Sequence, residues 1–127
     1  MKPEARQIAA MAAGLLALGV AAAAVGSHVL AGNLDATAMR RFQTATQVLM
    51  WQGLGLLALM RWASLPEREG LVWIGLMMLS GTALFCGSVY ALAFGAPRGV
   101  ASAAPIGGLM MIGSWLGAAG LIWRLRT

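Results

Sequence analysis

Few residues in this chain could do chemistry, and their spacing limits what that chemistry would be. His28 is the single histidine and Cys86 the single cysteine. An imidazole at a helix end can carry a proton, act as a ligand or bond the adjoining loop. With no cysteine or carboxylate cluster beside it, His28 closes no metal site. Cys86 forms no intramolecular disulfide, and within an apolar run it reads as a small hydrophobe. The pairs Met77-Met78 and Met110-Met111 suggest soft Cu(I) ligation. Adjacent residues on a helix diverge, however, so both pairs read as adaptable packing. No phosphate loop, HExxH motif or Ser/His/acid triad occurs. The carboxylates Glu4, Asp35, Glu67 and Glu69 all fall outside the apolar runs. No enzyme, metal or cofactor is expected beyond bound lipid. What remains is polar without being reactive: Gln43, Thr44, Gln47 and Tyr90 near one level of the chain, and Gln52, Thr82 and Ser114 at another.

The elements that carry these groups are apolar throughout. Of 127 residues, 60% are hydrophobic and only 10% are charged, where a soluble domain carries about 25% charged. Mean hydropathy is +0.78. Such a surface cannot face water, so the chain is read as an all-α membrane protein, one domain over 1–127. Net charge is +5, but no basic residues alternate with aromatics on one face. The charge fits loops near anionic lipid better than nucleic acid.

Four segments are long enough to cross a bilayer: about 7–30, 36–63, 71–94 and 105–123. The first, with Lys2 and Arg6 ahead of it and Ala22-Ala23-Ala24 within it, could be read as a signal peptide. Its apolar run exceeds the ordinary 7–15 residues of such signals, so a retained transmembrane helix is expected. Gly32-Asn33-Leu34-Asp35 is a turn, with Asp35 placed to cap the next helix. Within that helix Met39, Phe42 and Thr46 share the less polar face. Ser64-Leu65-Pro66-Glu67-Arg68-Glu69-Gly70 and Gly95-Ala96-Pro97-Arg98-Gly99 are the other breaks. With four crossings, Lys2, Arg6, Arg61, Arg68, Arg124 and Arg126 share one side. Arg40, Arg41 and Arg98 share the other, so a four-transmembrane-helix bundle with both termini cytoplasmic is expected. Trp62, Trp73 and Trp123 then lie together at the inner interface.

Counting outward from those tryptophans at 1.5 Å per residue sets the levels. His28, Gln43, Thr44, Gln47, Tyr90 and Pro105-Ile106-Gly107-Gly108 gather near the outer face, while Gln52 lies deeper beside Thr82 and Gly113-Ser114. An unpaired amide in hydrocarbon is costly, so Gln47, Tyr90 and Gln52 are expected to face the bundle interior, Gln52 towards segment three or four. Small residues recur at helix-packing intervals: Gly87, Ala91 and Gly95 in segment three, Gly113 and Gly117 in segment four.

Several of these pieces carry a resemblance. Gly26-Ser27-His28, Phe42-Gln43-Thr44-Ala45, Leu54-Gly55-Leu56-Leu57, Cys86-Gly87-Ser88-Val89-Tyr90 and Pro105-Ile106-Gly107-Gly108 keep their order and spacing across nearly the whole chain. In this the chain resembles the bacterial membrane proteins grouped as domain of unknown function 423, the YgdD- and YwdK-like proteins. The resemblance implies four transmembrane helices in the inner membrane and brings no established activity. The family's second helix usually continues with a tyrosine and, four residues on, a histidine. Here those positions are Val48 and Gln52, and glutamine keeps hydrogen bonding while giving up titration near neutral pH.

Two functional classes fit. One is a non-catalytic accessory or structural subunit, bound to a larger membrane complex through a helix face such as Gly87/Ala91/Gly95 or Gly113/Gly117. The other is a small channel or carrier for a neutral solute or lipid, which calls for a continuous polar stripe. Polarity here is concentrated at one end and thins to Gln52, Thr82 and Ser114, which favours the subunit. The expected partners are membrane lipid and other membrane protein subunits.

Overall fold

The computed structural model describes residues 3–63 and 69–124. Of the polar loop expected over 64–70, residues 64–68, Arg68 among them, lie outside the described residues, as do the basic residues Lys2 and Arg126. Four α-helices account for nearly everything else: α1 (Pro3–His28), α2 (Ala36–Ala63), α3 (Gly70–Ala93) and α4 (Ala103–Arg124), with one short 3-10 stretch, Arg98–Ser102, leading into α4.

Helix limits follow local chemistry. In the first described turn of α1 the missing N–H of Pro3 is harmless, and Glu4 is set against the positive end of the helix dipole. Asp35 starts α2, its Oδ1 accepting the Ala38 N–H at 2.7 Å. α3 ends in a full Schellman closure. The Ala96 N–H donates to the Ala91 carbonyl and the Gly95 N–H to the Leu92 carbonyl, with Gly95 at φ +93°. Gly95 is therefore a helix cap and not part of a packing face with Gly87 and Ala91. Pro105 falls in the first turn of α4 rather than at its start, because the 3-10 stretch runs directly into Ala103.

The helices pack as antiparallel neighbours in chain order. α2 lies against α1 and α3, and α4 packs on α3. α1 makes a lighter contact with α3, while no Cα of α4 comes within 8 Å of α1 or α2 among the described residues. The arrangement is thus a row with α2 and α3 central. Seams are set by glycine. Gly26 faces the Phe42 ring, Gly19 faces Met50, and Gly53 sits under Leu16. Between α3 and α4 the approach is backbone on backbone. A Cβ on Gly107 would lie 2.6 Å from the Phe85 nitrogen and 2.7 Å from the Gly81 oxygen.

That seam differs from the expected one. Gly87 has nothing within 4 Å of a built Cβ, Gly113 meets only Met77 Cε at 3.7 Å, and Gly117 touches Ile74. The buried row of α4 is instead Gly107, Met111, Ser114 and Ala118. Three stretches, Pro3–His28, Gly70–Ala93 and Arg98–Arg124, are long and apolar enough to cross a membrane. α2 is longer than any of the other helices but is interrupted by glutamine and arginine.

Candidate functional site

At the end of the molecule where the α1–α2 and α3–α4 connections lie, here called the hairpin end, three helices meet around Phe42. Its ring is buried and meets Tyr90 edge-on at 5.2 Å between centroids and Phe94 at 6.0 Å. One turn further into α2, Thr46 Oγ1 donates to the Phe42 carbonyl at 2.9 Å. Its single proton is thereby used, so the 2.7 Å contact with Tyr90 runs from the phenol to Thr46. Cys86 Sγ lies 3.4 Å from the Ala45 carbonyl and donates weakly to it. The fixed rise of the helices brings Tyr90 to the level of Ala45-Thr46, where the depth count puts it, and Cys86, one turn earlier on α3, also reaches Ala45.

The polar residues expected to join this cluster are placed differently. Of His28, Gln43, Thr44, Gln47 and Tyr90, only Tyr90 is inside; the other four are exposed. Gln47 was expected to face the interior and does not. Buried Phe42, Ala45, Thr46 and Leu49 occupy the inward face of α2, and Gln43 and Gln47, one helical turn apart, fall on the adjoining face. Thr46 was visible in the sequence from its spacing with Phe42. Phe94 was missed, since it sits beyond the last turn of α3 where periodicity no longer speaks.

Gln43 and Gln47 line an open groove of about 790 Å³ between α1 and α2. Gly26, Phe42, Thr46, Ala23, Met50 and Ser27 also line it. Gly26 has to be this small, since a Cβ there would meet Phe42 Cε1 at 2.8 Å.

Deeper in the molecule, Gln52 accepts a 3.1 Å hydrogen bond from Trp115 Nε1 of α4. The indole spans the gap between α4 and α2 and lies on Gly55, where a Cβ would come 2.6 Å from Trp115 Cζ2. The other mid-level groups close on their own helices. Thr82 donates to the Met78 carbonyl at 2.8 Å, and Ser114 to that of Met110 at 2.6 Å. Ser88 does the same nearly two turns nearer the hairpin end, to Phe85 at 2.9 Å. No group of three or more metal-ligating side chains comes together among the described residues.

Comparison with known proteins agrees with the quoted motifs. Residues 22–108 match a family described as a protein of unknown function, DUF423. A UPF0382 membrane protein of Staphylococcus saprophyticus is 34% identical over 99 residues, covering 78% of this chain and 82% of that protein. The UPF0382 inner membrane protein YgdD of Escherichia coli K12 is 33% identical over 99 residues, covering 76% of this chain and 73% of that protein. No solved structure matches the chain.

Proposed function

Because this chain belongs to the DUF423 family of bacterial inner-membrane proteins, whose function is unknown, its role has to be read from its own geometry. We propose that it is a non-catalytic accessory subunit, packed against a larger membrane protein complex. The observation that carries this is the closure of its interior. Each buried hydroxyl, on Thr46, Thr82, Ser88 and Ser114, donates to a carbonyl of its own helix. No buried side-chain polar atom lacks a partner among the described residues. A solute crossing this interior would find no chain of free polar groups to replace its water, which a carrier has to offer. The outward faces meanwhile are apolar and available. Leu109, Ile112 and Leu116 form an exposed row on α4, and Gly87 on α3 leaves open space where a foreign helix could approach closely.

The reading includes four crossings with both termini cytoplasmic. α2 runs antiparallel to α1 and α3 along its length, so it enters the bilayer with them. Arg41 and Arg61 stand twenty positions apart on α2, about 30 Å at 1.5 Å per residue, the thickness of the hydrocarbon. Exposed Trp62, Trp73 and Trp123 suit the interface at the terminal end. Reporter fusions test this. Those after Gly32 and Pro97 read as periplasmic, and those after Pro66 and Thr127 as cytoplasmic. A cytoplasmic signal at Gly32 together with a periplasmic one at Thr127 reverses the orientation.

The carrier reading has one observation in its favour, the groove holding Gln43 and Gln47, but its lining comes only from residues 23–50, at the hairpin end of α1 and α2. Proteoliposomes containing this chain alone decide between them. The subunit reading expects no solute flux above protein-free vesicles. Flux that is abolished by Gln52→Leu or Tyr90→Phe makes the protein a carrier.

A further inference from the structure

The groove between α1 and α2 has walls of two kinds. Towards the molecule's middle it is lined by Ala23 and Met50, and towards the hairpin end by Ser27, Gln43 and Gln47. Arg40 stands three residues before Gln43 and seven before Gln47, so the three share one face of α2, as a ladder along the helix. Taking Arg41 as the hydrocarbon boundary, Arg40 lies in the headgroup layer and Gln43 just inside the boundary. Gln47 lies about 9 Å within it.

At that depth an amide needs a partner, because hydrocarbon supplies none. Neither the Gln43 nor the Gln47 side chain is hydrogen-bonded to another described residue, whereas that of Gln52, deeper still, is bonded to Trp115. Arg40 and Arg41 are both exposed and take part in no ion pair among the described residues. The one carboxylate of the neighbouring turn, Asp35, is engaged in capping the Ala38 N–H. In order along α2 there follow guanidinium positive charge beside the groove, outside its lining, then two amide donors and an apolar trough within it.

We infer that this groove binds an anionic phospholipid. Its phosphate lies at Arg40, its ester carbonyls accept from the amides of Gln43 and Gln47, and one acyl chain lies over Gly26 and Phe42 towards Ala23 and Met50. The order of the ladder matches the order of groups along a glycerophospholipid. Net positive charge at the mouth selects the anionic headgroup over a zwitterionic one. The inference rests on α2 crossing the bilayer, as proposed above, and is independent of whether the protein docks on a larger complex.

The test uses the full chain, purified in mild detergent, delipidated and titrated with phosphatidylglycerol or phosphatidylcholine of the same acyl chains. Bound lipid is read as adducts by native mass spectrometry. The wild type retains one phosphatidylglycerol in preference to phosphatidylcholine. Gln43→Leu with Gln47→Leu lowers retention of both lipids about tenfold, and Ala23→Phe, which fills the trough, does the same. Arg40→Ala with Arg41→Ala removes the preference. Gln52→Leu, outside the groove, leaves retention unchanged, and circular dichroism shows every variant helical. Equal retention of the two lipids by the wild type overturns the inference. So does retention that survives both the double glutamine change and Ala23→Phe, or retention lost equally in Gln52→Leu, which marks a non-specific lipid shell. The Gly32 reporter fusion separates these results from an error in the placement of α2.

Discussion

Gln52 and Trp115 form a side-chain hydrogen bond that ties α4 to α2, in a place where the two backbones stay apart. Removing the acceptor by Gln52→Leu leaves the indole N–H without a partner in an apolar setting. Interhelical bonds of this kind contribute about 0.6 kcal/mol on average and up to about 1.7 in bilayer-like surroundings. Gln52→Leu is therefore expected to lower the unfolding free energy by an amount in that range, measured by denaturation in mixed micelles. Tyr90→Phe is expected at the lower end, because Thr46 keeps its bond to the Phe42 carbonyl and loses only the phenol. The sequence carried Gln52's level but not its partner. Depth follows from a constant rise per residue, and the count reached Ser114, one position short of the tryptophan. Gln47 failed for the opposite reason. Its exposure was legible from Met39, Phe42 and Thr46, which mark the inward face by period. The cost of an amide in lipid argues against that period, and the groove resolves the conflict by giving the amide a wall to stand in.

At the scale of helices, the structure separates glycines that the sequence cannot. Of the 17 glycines, many fall four residues from another small residue, so small-xxx-small spacing arises on several faces at once. The face that becomes a seam is decided by what the neighbouring helix presents. On α4 that face is Gly107, Met111, Ser114 and Ala118, set by the backbone of α3 at Gly81 and Phe85, and Gly113 and Gly117 lie to one side. The two classes predict different outcomes. Gly107→Val must push α3 and α4 apart, since the obstructing atoms are backbone and cannot rotate away. A cost at or above the usual overpacking range of about 1–3 kcal/mol is expected, read as loss of stability in mixed micelles. A Cβ at Gly87 meets nothing within 4 Å, so Gly87→Leu should leave the isolated protein as stable as the wild type. Gly95→Ala places a Cβ at φ +93°, with an expected cost of about 1–2 kcal/mol and fraying of the last turn of α3. The helices themselves were legible to within four residues because long apolar runs bounded by Gly, Pro and Asp leave little choice. Their order in a row, with α4 away from α1 and α2, was not, because nothing in a run of Ala, Leu and Gly states which flank a neighbour takes.

As a whole molecule, the chain buries a narrow stripe on each outer helix and leaves the rest apolar and uncovered. Buried positions on α1 are Ala5, Ile8, Ala12, Gly19 and Gly26, while Met11, Leu18, Val20 and Val25 are exposed. Lipid covers such faces at no cost, and so does another membrane protein. Small open positions such as Gly87 and Gly113 are the ones at which a second helix gains most from close approach. The measurement that tests the subunit reading most directly is the size of the particle that carries this protein in mild-detergent extracts of native membranes. Native electrophoresis with detection of the chain should place the wild type in a particle far larger than its own 13.2 kDa and its detergent. Gly87→Leu or Gly113→Leu should move it to the position of the free chain with its helix content intact. A wild-type protein that migrates as the free chain, in extracts where known membrane complexes remain assembled, contradicts the account.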